Sequence, residues 1–391
     1  MRRVFLIVLD SLGCGALPDA ADFGDSGAHT LDHLVHAAGG LDAPRLIALG
    51  LGNIPGVTSL PRAVKPAGAF GRCAERSPGK DTSTGHWEMM GLVLDQQFPV
   101  FPSGFPEGIL QPFIERGMLP GVLCNRPASG TAVLDELGAE HIRTGKPIVY
   151  TSADSVFQVA AHEKYFGLER LFEICEIARK ILNPYGVGRV IARPFVGEPG
   201  SFQRTYNRRD YSLVPFRPTV LDRLKAAGVP VVGVGKISDI FAAQGLTRNV
   251  HTEGNVDGMR ATIELARTQK NGLIFVNLVD FDMLFGHRRD ALGYRRALEA
   301  FDAQLVELER ELCSDDLVLL TADHGNDPTF TKTTDHTREY VPLLAFGKEV
   351  AAGTELGTRS TFADIGATVE EALGLPAQAP GTSFLASLKL S

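Results

Sequence analysis

The sequence is poor in cysteine and holds no long apolar run. Its five cysteines (Cys14, Cys73, Cys124, Cys175, Cys313) are an odd set without a CxxC pair. That excludes a disulfide framework or a thiolate metal knot and suits a reducing compartment, so a cytoplasmic location is expected. The apolar run near the start, Val4 to Leu9, is six residues long, whereas a secretory core needs about 7 to 15 and a membrane span about 20. The Arg2-Arg3 pair ahead of it is therefore not read as a signal peptide. Positive charge is in the minority, 39 Lys and Arg against 46 Asp and Glu, and the net charge of −7 disfavours nucleic acid or an acidic membrane surface as a partner. Internal repeats and low-complexity tracts are missing too. What is present is 44% hydrophobic content over 391 residues, enough for sizeable cores in two or three domains of roughly 100 to 200 residues.

Val4 to Leu9 is continuous, β-branched and aromatic, the pattern of a strand buried on both faces of a parallel sheet. Similar runs recur at Val229–Val234, Leu273–Val279, Leu317–Thr321 and Val341–Phe346, separated by segments long enough for helices. One such segment carries Ala291, Tyr294, Leu298, Phe301, Leu305, Leu308 and Leu312 at three- and four-residue intervals, the stripe of an amphipathic helix. The expected fold is a doubly wound α/β core. The stretch 98–215 differs: it opens on the Pro-rich Phe98 to Pro102 and closes just before Pro218. It is read as an inserted α+β cap domain between core segments 1–97 and 216–391, with strands near Ile148–Tyr150 and Arg189–Ile191 and a helix over Leu168–Leu182.

Three runs end in acids, at Asp10, at Asp280 and Asp282, and at Asp323, on the sheet edge where α/β proteins bind ligands. His287, His324 and His336 lie close by in sequence, and mixed Asp and His donors suit Mn²⁺, Zn²⁺ or Co²⁺. Singly, each acid reads as a turn or helix cap and each histidine as an ordinary polar residue. Jointly, three carboxylates and three imidazoles supply about three ligands to each of two metals and leave positions open for substrate. Gly79 to Glu88 crowds Thr82, Ser83 and Thr84 at the start of a short helix, where backbone N–H groups stabilise phosphate. A cation on such a hydroxyl would make it a usable nucleophile.

These segments, Val8 to Gly13, Gly79 to Glu88, Asn277 to Asp282 with Gly286 to Asp290, Thr321 to Thr329 and Asp335 to Glu339, together resemble the phosphopentomutases of the alkaline phosphatase superfamily nearly end to end. The resemblance implies an alkaline-phosphatase-like core. It implies that Thr82 is the nucleophile and carries the phosphoryl group, with Asp10, Asp323 and His324 on one Mn²⁺ and Asp282, His287 and His336 on the other. It implies that Ser152 and Asp154 contact the ribose and that Arg193, Arg208 and Lys236 grip the distal phosphate. The implied reaction interconverts ribose 1-phosphate and ribose 5-phosphate, and the 2-deoxy analogues, with two Mn²⁺ per chain and glucose 1,6-bisphosphate or a similar sugar bisphosphate as activator. A phosphohydrolase on the same core, a metal-dependent sugar-phosphate sensor and a mutase for another sugar phosphate remain alternatives. Ser83 and Thr84 leave the nucleophile's position open on spacing alone, and oligomeric state is not readable.

Overall fold

The computed structural model describes residues 3–152 and 154–388. The chain divides into two compact units, Met1–Gln97 with Pro215–Ser391, and Phe98–Val214. In chain order, the first unit supplies β1 (Arg3–Leu9) and β2 (Ala69–Cys73). The second supplies β3 (Leu123–Pro127), β4 (Ile148–Thr151), β5 (Val156–His162), β6 (Arg189–Val196), β7 (Gln203–Arg204) and β8 (Arg209–Ser212). The first unit resumes with β9 (Val231–Val234), β10 (Arg248–Val250), β11 (Gly272–Leu278), β12 (Asp316–Thr321), β13 (Val341–Phe346) and β14 (Glu355–Arg359).

The first unit is built on an eight-stranded mixed sheet in the order β10-β9-β11-β1-β12-β13-β2-β14. Its parallel half runs from β10 to β12. Every residue of β1, β11 and β12 is buried, because helices cover such a sheet on both faces and each apolar side chain finds a partner. On β11, Phe275 packs its ring on Phe241 and on His86. The stripe on the helix Ala291–Arg310 is buried at Tyr294, Leu298, Phe301, Leu305 and Leu308, each such side chain contributing about 1.5–3 kcal/mol by leaving water. Asp290 caps that helix, accepting from the Gly293 amide at 2.8 Å.

One expectation about the sheet needs correcting. The run Val341–Phe346 forms β13, but β13 lies antiparallel to both β12 and β2. A continuous apolar run reports burial on both faces and says nothing of direction. The connection 322–340 contains no helix, so the chain doubles back, whereas a parallel partner needs a crossover.

The second unit holds a six-stranded sheet, β3-β4-β5-β6-β7 with β8 paired to β6. Alternation along β4 divides its side chains between two cores. Val149 joins Phe113, Phe157, Leu171 and Cys175, while Ile148 and Tyr150 join Val133, Leu134, Phe195 and Phe202. Among the described residues no helix is long and apolar enough to cross a membrane.

Candidate active site

Parallel register builds the site. Leu9 lies beside Leu278, and Val8 beside Thr321, so β1, β11 and β12 end level and release Asp10, Asp282 and Asp323 at one edge of the sheet. Ser11, just past β1, has a left-handed φ of 73°, a conformation that costs a non-glycine residue on the order of 1 kcal/mol or more. That turn aims its amide at Asp323 Oδ1, 3.1 Å away.

Two groups of donors converge there. Asp282, His287 and His336 place one ligand atom each within 4.8 Å of one another, and so do Asp10, Asp282 and His324. Asp282 belongs to both. His287 Nε2 is 3.1 Å from Asp282 Oδ2 and 3.1 Å from His336 Nε2, and the His324 and His336 rings stack at 3.9 Å. Asp323 Oδ2 is 3.3 Å from His324 Nε2. The outward nitrogens are turned the right way: Nδ1 of His287 donates to the Thr334 carbonyl at 2.7 Å, Nδ1 of His336 to that of Lys80 at 2.9 Å and Nδ1 of His324 to that of Gly325 at 3.1 Å. Each Nε2 is thereby left to offer its lone pair, the orientation that second-sphere partners give metal-binding histidines.

The charge balance points to cations. Burial, reinforced by Asp323 and Asp282, pushes the Asp10 carboxyl well above the usual carboxylate range. Asp282, against its own burial, is held well below that range by His336 and His287, and Asp323 is held down in the same way by His324 and His86. Burial lowers the pKa of His324. Among the described residues the buried Asp10 Oδ1 accepts no hydrogen bond, with His324 Nε2 3.6 Å away; Asp323 Oδ2 is likewise without one, the nearby His86 Nδ1 at 3.2 Å donating to the Thr82 carbonyl instead. An unsatisfied buried acceptor costs about 1–3 kcal/mol. Carboxylate oxygens left open among imidazoles fit a divalent cation of the Mn²⁺ or Zn²⁺ kind.

Thr82 opens the helix Thr82–Met89 beside these groups, with Oγ1 3.2 Å from His324 Nε2. Asp81 caps the helix through the amides of Ser83 at 3.0 Å and Thr84 at 3.1 Å, and it also takes the Thr84 hydroxyl. The Thr84 hydroxyl is thus committed to the cap, whereas that of Thr82 faces the acid and histidine cluster.

This geometry can be set beside known proteins. The chain matches the metalloenzyme superfamily over residues 2–377. It is 56% identical to the phosphopentomutase of Symbiobacterium thermophilum over 98% of both chains. It is 55% identical to that of Caldanaerobacter subterraneus subsp. tengcongensis over 100% of this chain and 99% of the relative. Among solved structures it is similar to a phosphoglycerate mutase of Leishmania mexicana, at 13% identity and a TM-score of 0.46 over 98% of this chain and 97% of that one. The chain belongs to the phosphopentomutase family, whose members are isomerases.

The other candidates of this phosphopentomutase-family chain are divided between the units. Lys236 follows β9 at the same sheet edge, where its charge lowers the pKa of Asp10. The neighbouring Gly235 has φ 76°, and a side chain on it would meet the Asn277 carbonyl. The remaining four lie in the second unit. Ser152 Oγ accepts from the Asp154 amide at 3.3 Å, and Asp154 Oδ2 is 3.8 Å from Arg189 Nη2; Ala153 lies outside the described residues. Arg193 is pulled down by its burial and by Arg208, and Nε donates to Gln158 at 3.1 Å. Arg208 forks onto Asp210, with both contacts at 2.6 Å. Burial raises the Tyr150 hydroxyl, while the charges of Arg193, Arg204 and Arg208 pull it the other way.

Sequence reasoning assigned no role to His86, Asn277 or Arg204. His86 Nδ1 lies 2.9 Å from the Thr82 carbonyl and 3.2 Å from Asp323 Oδ2. Its spacing of four from Thr82 on one helix face was the available signal. Asn277 donates to Asp10 Oδ2 at 2.8 Å, and a polar residue inside an otherwise apolar strand marks it.

Proposed function

We propose that the chain interconverts ribose 1-phosphate and ribose 5-phosphate, and their 2-deoxy analogues, through a phosphothreonine on Thr82. The observation that carries this reading is the Thr82 hydroxyl set against a cluster of carboxylates and imidazoles with open oxygens. Asp10, Asp323 and His324 would hold one divalent cation and Asp282, His287 and His336 the other, Asp282 also lying within ligand distance of Asp10 and His324 and so serving both, with Mn²⁺ the metal that the family resemblance implies. Two such cations supply charge neutralisation around the transferring phosphoryl group and the Thr82 oxygen.

In the first half-reaction the Oγ–P bond of phosphothreonine breaks as a bond forms to O1 of ribose 5-phosphate. The sugar hydroxyl's proton is lost and Thr82 regains one, giving ribose 1,5-bisphosphate. In the second, the 5-phosphoryl passes to Thr82 and ribose 1-phosphate leaves. Because Asp81 already takes the Ser83 and Thr84 amides, the phosphoryl oxygens would depend on the two cations rather than on the start of the Thr82–Met89 helix. Lys236, Arg193 and Arg208 serve the phosphate that is not transferring, an Arg fork matching phosphate geometry, and Ser152 and Asp154 serve the sugar. A sugar bisphosphate such as glucose 1,6-bisphosphate primes Thr82. The reaction belongs to the cytoplasm, where free thiols such as Cys14 and Cys73 persist.

The test is a coupled assay of Mn²⁺-loaded, bisphosphate-primed protein with ribose 5-phosphate, following ribose 1-phosphate and inorganic phosphate together. Ribose 1-phosphate without free phosphate supports the mutase. Free phosphate alone would mean a hydrolase, and binding without turnover a sensor.

A further inference from the structure

One guanidinium ties together three segments that carry the acid and histidine cluster. Arg289 Nη1 donates to the Gly286 carbonyl at 3.1 Å, to Asn326 Oδ1 at 2.5 Å and to the Asp327 carbonyl at 2.9 Å. Nη2 donates to the Asp335 carbonyl at 3.2 Å and to that of Thr333. These acceptors belong to the stretches that hold Asp282 with His287, Asp323 with His324, and His336. Arg289 does this from a left-handed backbone, φ 56°, a strained conformation for a residue with a side chain.

We infer that Arg289 is a positioning residue that sets the orientation of Asp282 and the spacing of the two cation sites; the inference rests on the metal reading proposed above. A guanidinium has donors and no acceptor. Against Asn326 it can face only the amide oxygen, and this turns the NH₂ group towards Asp282, where Nδ2 donates to Oδ1 at 2.7 Å. One oxygen of Asp282 is occupied, and Oδ2 is left towards His287 and His336. Gly286 makes room, since a Cβ there would press on the Asn326 amide. The same cation holds the carbonyls on either side of Thr334, whose own carbonyl receives His287 Nδ1 at 2.7 Å. Asp282 is shared by both donor groups, so a tilt of its carboxylate disturbs both cations at once.

The experiment is calorimetric titration of the apo full-length protein with Mn²⁺, with the absorption spectrum of the Co²⁺-loaded protein and the melting temperature of the apo protein alongside. Arg289→Met is expected to weaken Mn²⁺ binding about 10- to 100-fold, the usual effect of losing an outer-sphere partner, and to alter the Co²⁺ spectrum. Arg289→Lys should recover only part, because one ammonium cannot span the five acceptors. Asn326→Ala should reproduce the loss. Arg288→Met, at the exposed neighbour, should bind as wild type. A folded Arg289→Met with wild-type affinity and spectrum would overturn the role of Arg289 alone. No binding by the wild type would overturn the metal reading and this inference with it. Should Arg289→Met fail to fold, Arg289→Lys and Asn326→Ala decide by the same two readouts.

Discussion

Gly85 of the Thr82–Met89 helix packs its bare Cα against the main chain of Asp323: a Cβ there would overlap the Asp323 carbonyl. The Thr82–Met89 helix and a strand-end carboxylate are thereby seated on each other with no side chain between. Gly85→Ala should gain about 1 kcal/mol of helix propensity but lose more, about 1–3 kcal/mol, to overlap with backbone that cannot rotate away. A lowered melting temperature together with lower turnover is expected. Wild-type values for both would show that the helix can shift without cost.

Thr82, with Oγ1 3.2 Å from His324 Nε2, should be indispensable. Removing one electrostatic donor from an active site already costs about 10²–10³ in kcat, and Thr82→Ala removes the hydroxyl proposed above to carry the phosphoryl. Loss beyond that range is expected, with no phosphate label retained by the denatured protein. Thr84→Ala should instead act on stability, through the Asp81 cap. Label on a residue other than 82 would refute the assignment.

Asp282 is shared by both donor groups, whereas His287 belongs to one. After dialysis and elemental analysis, Asp282→Asn should retain less metal than His287→Ala, and a chelator should abolish turnover in the wild type. Equal metal content in the two variants would argue against a shared carboxylate.

Acid should weaken the second unit through His141. Its Nδ1 donates to the Lys146 carbonyl at 2.7 Å, and its Nε2 accepts from the His162 amide at 2.9 Å. Protonation would set an N–H against an N–H, and burial lowers the pKa of His141 from its usual 6.5. The folded-state pKa is depressed, so this contribution to stability is complete above about pH 6.5 and is lost as pH falls below it. Melting curves from pH 8 to pH 5 should show wild type losing its advantage over His141→Gln. A constant difference across that range would contradict the argument.

Much of this was legible from residues alone, and the part that was not has a common cause. Val4–Leu9, Leu273–Val279 and Leu317–Thr321 are read correctly because continuous apolar runs mark strands covered on both faces. The acids that end them are conspicuous against that background. β2, Ala-Phe-Gly-Arg-Cys, escapes because it mixes glycine and arginine into five residues, and only pairing with β13 and β14 makes it a strand. Arg289 and Asn326 escape for the same reason at the level of side chains: isolated polar residues in loops acquire a task only from carbonyls and carboxylates up to 46 positions away in sequence.

The register of β1 also constrains how the chain can be made. Arg3 pairs with Gly272 on one side and Asp316 on the other. On a ribosome adding roughly 5–20 residues per second, the first strand to emerge therefore waits roughly ten seconds to a minute for its first neighbour. Throughout that interval both its edges are unpaired and its apolar faces are bare, the condition in which nascent strands aggregate or are held by chaperones. The second unit, contiguous from Phe98 to Val214, is complete in sequence before that neighbour is translated.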